Sequence, residues 1–402
     1  MVMSHNNTIE NNHLSENSNF GMRLHDTSDN TINNNAISGI GTGIYLDFGA
    51  NRNKIINNTI TNAGSGIDIN FDCTNSSLKD NKISKCTFGI SSHPCYNNTL
   101  TGNTISNCTD GIMLFGSKNI ISKNDISYCE YGGVHIFSSF TVVSSNLLIH
   151  NGMGIWIGSD HNTIFGNTLI SNDHGFDVRY CNNNTFYHNN VVKNTIQAYL
   201  VDTINEWDNG YASGGNYWSN YTSTDLFSGP YQNITGCDGI GDSAHVIDEN
   251  NTDRFPLMGS ISFFEAGTWD ETTYYVHTVS NSTVSDFYFN ENDKLVSFSV
   301  TGLDGTNGFC RVTIPKELLW CDTPEQWEIW VNNTLIEEKR VSEDAEYTYI
   351  YFTYNQSTQN VEVIGIHVIP EFPTWTSMLL LLIMLTVAIA IYKRRLLKTP
   401  IH

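Results

Sequence analysis

From Asn7 to about residue 200 the chain repeats one pattern of apolar and polar positions nine times, at a spacing of 21 to 23 residues. Each copy opens on a triplet such as Asn30-Thr31-Ile32, Asn98-Thr99-Leu100 or Asn162-Thr163-Ile164. Five residues further on stands an asparagine in every copy: Asn12, Asn35, Asn58, Asn81, Asn103, Asn124, Asn146, Asn167 and Asn189. An aliphatic residue follows two positions later, from Leu14 and Ile37 to Leu169 and Val191, and a glycine then opens a third apolar run, as in Gly43-Ile44, Gly89-Ile90 and Gly154-Ile155. A fixed period of this length marks a solenoid, in which each copy completes its core against its neighbours. Residue type decides which kind. The copies use Ile, Val, Thr, Asn and Gly, with apolar positions two apart, which is strand chemistry punctuated by turns rather than a leucine frame or a helical repeat. Three short strands per copy predict a parallel β-helix of about nine coils, roughly 40 Å long at the usual strand spacing. The aliphatic columns then stack inside, and the asparagines form a ladder at a turn that tolerates left-handed backbone.

After the repeat the pattern changes three times. Residues 201–258 are dense in aromatics and glycines, with Trp207, Gly214-Gly215-Asn216-Tyr217-Trp218 and Gly229-Pro230-Tyr231, and read as a cap on the last coil. Residues 260–367 alternate at period two in runs such as Leu295–Val300, Trp327–Val331 and Tyr347–Phe352, which predicts an Ig-like antiparallel β-sandwich. A Pro-rich linker, 368–374, leads to Trp375–Tyr392, 18 residues without a charge, and then to a basic tail, 393–402, with Lys393, Arg394, Arg395 and Lys398. That length suits one C-terminal transmembrane helix, and the basic flank puts the tail in the cytoplasm and everything before it outside. Outside placement makes Asn220, Asn233, Asn281 and Asn332, each in an Asn-x-Thr triplet, expected glycan acceptors. At the other end, Met1–His5 lead straight into a coil with neither cap nor signal peptide, so further coils and a signal are expected upstream.

Charge narrows the partners. Lys plus Arg number 20 against 41 for Asp plus Glu, a net charge of −21, which argues against nucleic acid. The nine cysteines are of two kinds. Cys86, Cys108 and Cys129 share one column of three successive coils and read as a buried thiol stack. Cys73 and Cys95 share another column and stand close enough to pair, with connectivity open.

The order Trp207-Asp208-Asn209-Gly210, Gly215-Asn216-Tyr217-Trp218-Ser219, Asp238-Gly239-Ile240-Gly241-Asp242 and Val246-Ile247-Asp248 through Asp253, Phe255-Pro256 resembles the end of NosD-type right-handed β-helix proteins of archaeal cell surfaces, and the repeats are similar to theirs over residues 1–258. The stretch Pro370-Glu371-Phe372-Pro373, apolar span and basic tail resembles PEF-type C-terminal sorting signals, which implies either an anchor or a segment removed by a sortase-like protease. The family name implies copper handling, which would need clustered Met, His or Cys; the scattered histidines leave copper unexpected.

Candidate chemistry lies on the outer face of the strands that follow the glycines. One outward column runs Arg23, Tyr45, Asp68, Ser91, Met113, His135, Trp156, Asp177 and Ala198; the next runs His25, Asp47, Asn70, His93, Phe115, Phe137, Gly158 and Arg179. Trp156 with Phe115 and Phe137 would form a platform for a sugar ring, with Arg179 beside it. Asp177, Asp68, Asp47 and His135 are the candidates for acid–base chemistry in a polysaccharide lyase or hydrolase, though Asp177 lacks a second carboxylate at pair distance. Asp238, Asp242, Asp248 and Asp253, spaced around glycines, supply the hard oxygens a structural Ca²⁺ would want. The expectation is a cell-surface β-helix protein that binds carbohydrate or another envelope component, with catalysis on the same face and copper handling as alternatives.

Overall fold

The computed structural model describes residues 3–16, 19–369, 379, 381–389 and 391. Its first part is a parallel β-helix. One ten-stranded sheet stacks the opening triplets, from Thr8–Glu10 through Ile120–Ser122 to Ile204–Glu206, strictly in coil order. The second and third strands of each coil join through Ala36–Asp47 and Thr59–Asn70, which run unbroken across both positions. Register is without slip over the aligned columns: Ile9 pairs Ile32, which pairs Ile55, Leu78, Leu100 and Ile121 in turn. Every aliphatic of these columns from Ile32 onward is buried, because period-two alternation sends it inward in each coil. The glycine column has a steric cause. A Cβ on Gly43, Gly66 or Gly89 would lie 2.4 to 2.5 Å from the carbonyl oxygen of the glycine one coil on.

The asparagine ladder forms as the pattern predicts. Each side-chain Nδ2 donates to the Oδ1 of its counterpart in the next coil at 2.9 to 3.1 Å, from Asn12 to Asn35 and on to Asn189. A second ladder links the opening asparagines, as in Asn30 to Asn53 and Asn184 to Asn205. A third replaces the thiol column once that ends: Cys129 N donates to Asn151, which donates to Asn172, which donates to Asn194. Cys86, Cys108 and Cys129 are buried with free thiols that donate to backbone carbonyls of their own turns, and Cys73 and Cys95 are free as well.

The core widens toward the last coil from Ile to Phe176 and Phe186, and Trp207 and Trp218 close it, with Trp207 stacked on Phe186 at 4.1 Å. The chain divides into two compact units: residues 1–263 with 277–282 and 308–311, and the remainder. Among the described residues the strands beyond residue 259 make two five-stranded sheets and one short pair. In one sheet Leu295–Thr301 pairs antiparallel with Thr283–Asn290 and Thr358–Ile364, and alternation buries Val296, Phe298 and Val300. The span expected over 375–392 falls partly outside the described residues. Residues 379, 381–389 and 391 are helical, and among the described residues no helix is long and apolar enough to cross a membrane. A spanning helix therefore rests on sequence alone.

Candidate functional site

The face that follows the glycine column is built by strands from Phe20–His25 to Ile196–Val201. Adjacent residues of the outward columns meet as the sequence places them: Met113 pairs His135, His135 pairs Trp156, and Trp156 pairs Asp177. One position needs correction. Asp177 is followed by Tyr199, while Ala198 pairs the core residue Phe176, because the last copy lacks the glycine that sets the register.

The outward carboxylates are not free acids on a solvated face. Asp177 is fully buried and closed by three donors: Arg179 at 2.5 and 2.8 Å and His174 Nδ1 at 2.8 Å. Asp47, at the other end of the face, is fully buried under Arg23 at 2.5 Å and His25 Nδ1 at 3.0 Å. Each arginine is raised by its hydrogen bond to the carboxylate, and each lies over a tyrosine, Arg179 on Tyr199 at 5.0 Å and Arg23 on Tyr45 at 5.7 Å. In both packed ion pairs the carboxylate oxygens are taken up by arginine and histidine N–H groups, so neither aspartate is placed to attack or protonate a substrate. Asp68 is half-buried, accepts from Ser91 Oγ at 2.7 Å, and burial raises its pKa. His135 is buried with Nδ1 3.4 Å from Asp110; burial pushes the imidazole down to about 4 and Asp110 up to about 6. Among the described residues His135 Nε2 has no hydrogen-bond partner, and it lies against Gly132, where a Cβ would meet it at 2.1 Å.

Between the two ion-pair clusters runs an aromatic strip, each member partly exposed or, for His93, exposed. His93 stacks on Phe115 at 4.6 Å, Phe115 on Phe137 at 4.4 Å and 1°, and Trp156 meets Phe137 edge-on at 4.3 Å. The indole packs over Gly158, its nearest atom 3.4 Å from where a Cβ would be, an ordinary contact distance. The structure thus brings together Phe115, Phe137 and Trp156, with Asp177 and Arg179 on the coil beyond. It adds His174 and Asp110, which sequence reading missed. Both precede a glycine of the repeat, and that third outward column was there to be read.

The four aspartates expected to gather around Ca²⁺ stand at separate tasks. Asp253 is fully buried and ends the main ladder, accepting from Asn216 N at 2.8 Å, Trp218 Nε1 at 2.9 Å and Phe255 N at 3.1 Å. Asn216 is itself the rung beyond Asn189. Asp248 holds Asn251, the last rung of the second ladder, at 2.9 Å. Asp242 accepts from Thr224, Leu226 and Phe227, and Asp238 from Ile240 N. Among the described residues no group of three or more His, Cys, Asp or Glu could hold a metal ion.

A family model described as periplasmic copper-binding protein (NosD) matches residues 1–94 and 68–223, more than half of the chain. The chain belongs to the NosD family. Among the described residues the copper in that description finds no seat: the stacked thiols of Cys86, Cys108 and Cys129 are buried in the core and bonded to carbonyls, and of the outer-face histidines His25 and His174 are engaged by Asp47 and Asp177, His135 is buried and His93 stands apart, stacked on Phe115. These residues do not fit a copper centre. No curated protein matches the sequence. Among solved structures, a double mutant of the tailspike protein of E. coli bacteriophage HK620 in complex with pentasaccharide is similar at 10% identity, covering 90% of this chain and 70% of its own, with a TM-score of 0.41. The receptor-binding protein of bacteriophage Det7, a tailspike, is similar at 10% identity over 87% and 73%, with a TM-score of 0.34. Tailspike gp49 of Acinetobacter baumannii bacteriophage Fri1, a capsular polysaccharide depolymerase, gives 12% over 90% and 71%, with a TM-score of 0.29. At these scores the likeness carries nothing about this chain's chemistry.

Proposed function

We propose that this NosD-family β-helix works outside the cytoplasm as a carbohydrate-binding protein, with the strip from His93 to Trp156 as its contact face. The observation that carries the reading is the run of stacked, partly exposed rings on successive coils. Stacked ring on ring along the coils, they turn a continuous line of apolar edges to a sugar polymer, and each costs little ordering because the sheet already fixes it. Arg179, with a guanidinium still partly exposed beyond Asp177, offers donors to sugar hydroxyls at the end of the strip. Binding is favoured over cleavage on this face because Asp47 and Asp177 are closed by their arginine and histidine partners. Support for the location comes from the apolar run 375–392 and the basic cluster after it, which fit an anchor or a sorting segment with the β-helix outside. The test is glycan-array binding of the protein and of Trp156→Ala and Phe137→Ala, with reducing-end release assayed on every hit. Binding that both variants weaken supports the reading. Release of new ends would replace it with a lyase or hydrolase, and unaltered binding in both variants would remove the strip from consideration.

A further inference from the structure

The corner that precedes the outer face carries a second feature, distinct from the strip. A cleft of about 380 Å³ opens at coils six to eight, lined among others by Tyr128, Glu130, His150, Gly152 and Asp173. Tyr128 and His150 occupy one column of that corner and stack at 5.2 Å and 23°. Glu130, Gly152 and Asp173 occupy the next column, each directly after the thiol–asparagine ladder position of its coil (Cys129, Asn151, Asn172). Their backbone is fixed coil to coil: Glu130 N donates to Cys108 O, Gly152 N to Cys129 O and Asp173 N to Asn151 O, each at 3.0 Å. The two acids therefore project in parallel from backbone about two strand spacings apart, roughly 10 Å. Gly152 keeps the space between them empty, and the chain tolerates nothing larger there, since a Cβ would lie 2.4 Å from Glu130 O and 2.5 Å from Tyr131 O.

The fold does not require this set of residues. Tyr128 and His150 hold left-handed backbone, φ 55° for both, at a corner where Asn62 and Asn107 stand in earlier coils. Asparagine suits that conformation better than a bulky ring. Exposed rings also stack at other left-handed corners, Phe48 on Phe71 and Phe140 on His161; here the pair stands beside two carboxylates, which makes a surface with an apolar wall and two hydrogen-bond acceptors.

We infer that this corner cleft is a second carbohydrate subsite, taking a neutral or amino sugar whose ring lies on the Tyr128/His150 pair while Glu130 and Asp173 accept hydrogen bonds from its hydroxyl or amino groups. Uronic acids and other anionic sugars are disfavoured by the two carboxylates and by a chain of net charge −21. Both acids are exposed, which suits hydrogen bonding to a ligand; cleavage would ask for one of them to be desolvated enough to stay protonated. The inference shares the carbohydrate class with the strip but stands on other residues.

The experiment is calorimetric titration of the protein with oligosaccharides of N-acetylglucosamine and of mannose, with oligogalacturonate as the anionic probe. The cleft variants are Tyr128→Asn, which installs the residue found at the same corner in Asn107's coil and so preserves the fold, and Glu130→Gln, with Trp156→Ala titrated beside them for the strip. At least one neutral or amino oligosaccharide is expected to bind, with each variant weakening it at least tenfold and oligogalacturonate binding no better than a tenth as well. Binding components unchanged in both variants overturn the subsite, as does preference for the anionic probe. Loss in Trp156→Ala alone, with both cleft variants like the parent, overturns the cleft and leaves the strip. Absence of binding to every probe overturns both.

Discussion

The carboxyl that ends the main asparagine ladder should set a pH dependence of folding that a calcium ligand would not. Asp253 is fully buried, and its three N–H donors favour the ionised form while burial opposes it. Burial wins, and the pKa is pushed up to about 7. A raised carboxyl pKa stabilises the fold while the group is protonated. The contribution is complete below the unfolded value near 3.9 and is lost as pH rises through about 7. At 1.36 kcal/mol per pH unit, the loss over that window is about 4 kcal/mol. Asp253→Asn keeps the shape and removes the titration. Urea unfolding of parent and variant from pH 4 to pH 8 then gives a stability difference, parent minus variant, that falls by about 4 kcal/mol across the window. Comparing the change rather than either absolute value cancels every other titrating group common to both. A flat difference, or one that rises with pH, would refute the reasoning, because the donors would then outweigh burial. The same samples test the metal: EDTA at pH 7 should leave the parent's midpoint where it was, and a drop would return Asp253 to a calcium site.

Removing a rung of the ladder should also be costly. Asn124→Ala strips the acceptor from Asn103 N and Nδ2 and the donor from Leu100 O, so the loss should be about 2–4 kcal/mol by urea unfolding. Arg179→Ala leaves buried Asp177 with His174 alone; allowing for the exposure of the arginine, about 2 kcal/mol should be lost, and His174→Ala on top should cost more than its single effect. In the native protein, iodoacetamide followed by mass spectrometry should label only Cys237 and Cys321, with Cys86, Cys108 and Cys129 modified at the rate of global unfolding; fast labelling of the stack would contradict its burial.

How far the sequence could be read follows from what repeats. The coil register was legible because one buried pattern recurs nine times, and a slip by one residue would turn every aliphatic outward. The ladder was legible for the same reason, and so were the neighbours of His135, Trp156 and Asp177. Two features of the acids are not carried by the repeat. Alternation marks Asp47 and Asp177 as outward, while their burial comes from the long side chains of Arg23 and Arg179 folding back over them, which alternation does not specify. In the cap, aspartates beside glycines suggest a calcium loop locally, while their actual partners, Asn216 and Asn251, lie 37 and 3 residues away and continue ladders whose spacing the cap has broken. Ala198 was placed outward where Tyr199 stands because Ile196-Gln197 replaces the glycine that marks the strand in the other copies.

The division of labour within each coil explains where function can reside. Asparagines at the corners and aliphatics within are fixed by neighbours on both sides, since each asparagine is donor to one coil and acceptor from another and each aliphatic packs between its counterparts. A change there disturbs two interfaces at once, and these columns are nearly uniform. Outward side chains are not needed for the backbone pairing or the core, so they vary freely from coil to coil: Met113, His135, Trp156, Asp177 and Tyr199 share one column. Chemistry at coil spacing is what such a column can offer, and a polymer of ringed units is a ligand that meets several coils at once. The strip uses that spacing with rings on consecutive coils, and the corner cleft uses it with acids on alternate coils around a glycine. Both sites draw their rigidity from the same ladders. Asn151 and Asn172, which carry Gly152 and Asp173 on their next residues, bond each other at 3.1 Å. Asn172→Ala should therefore weaken sugar binding at the cleft by loosening Asp173 while leaving Trp156-dependent binding in place; equal loss at both faces would mean that the rung stabilises the rod as a whole rather than positioning the acid.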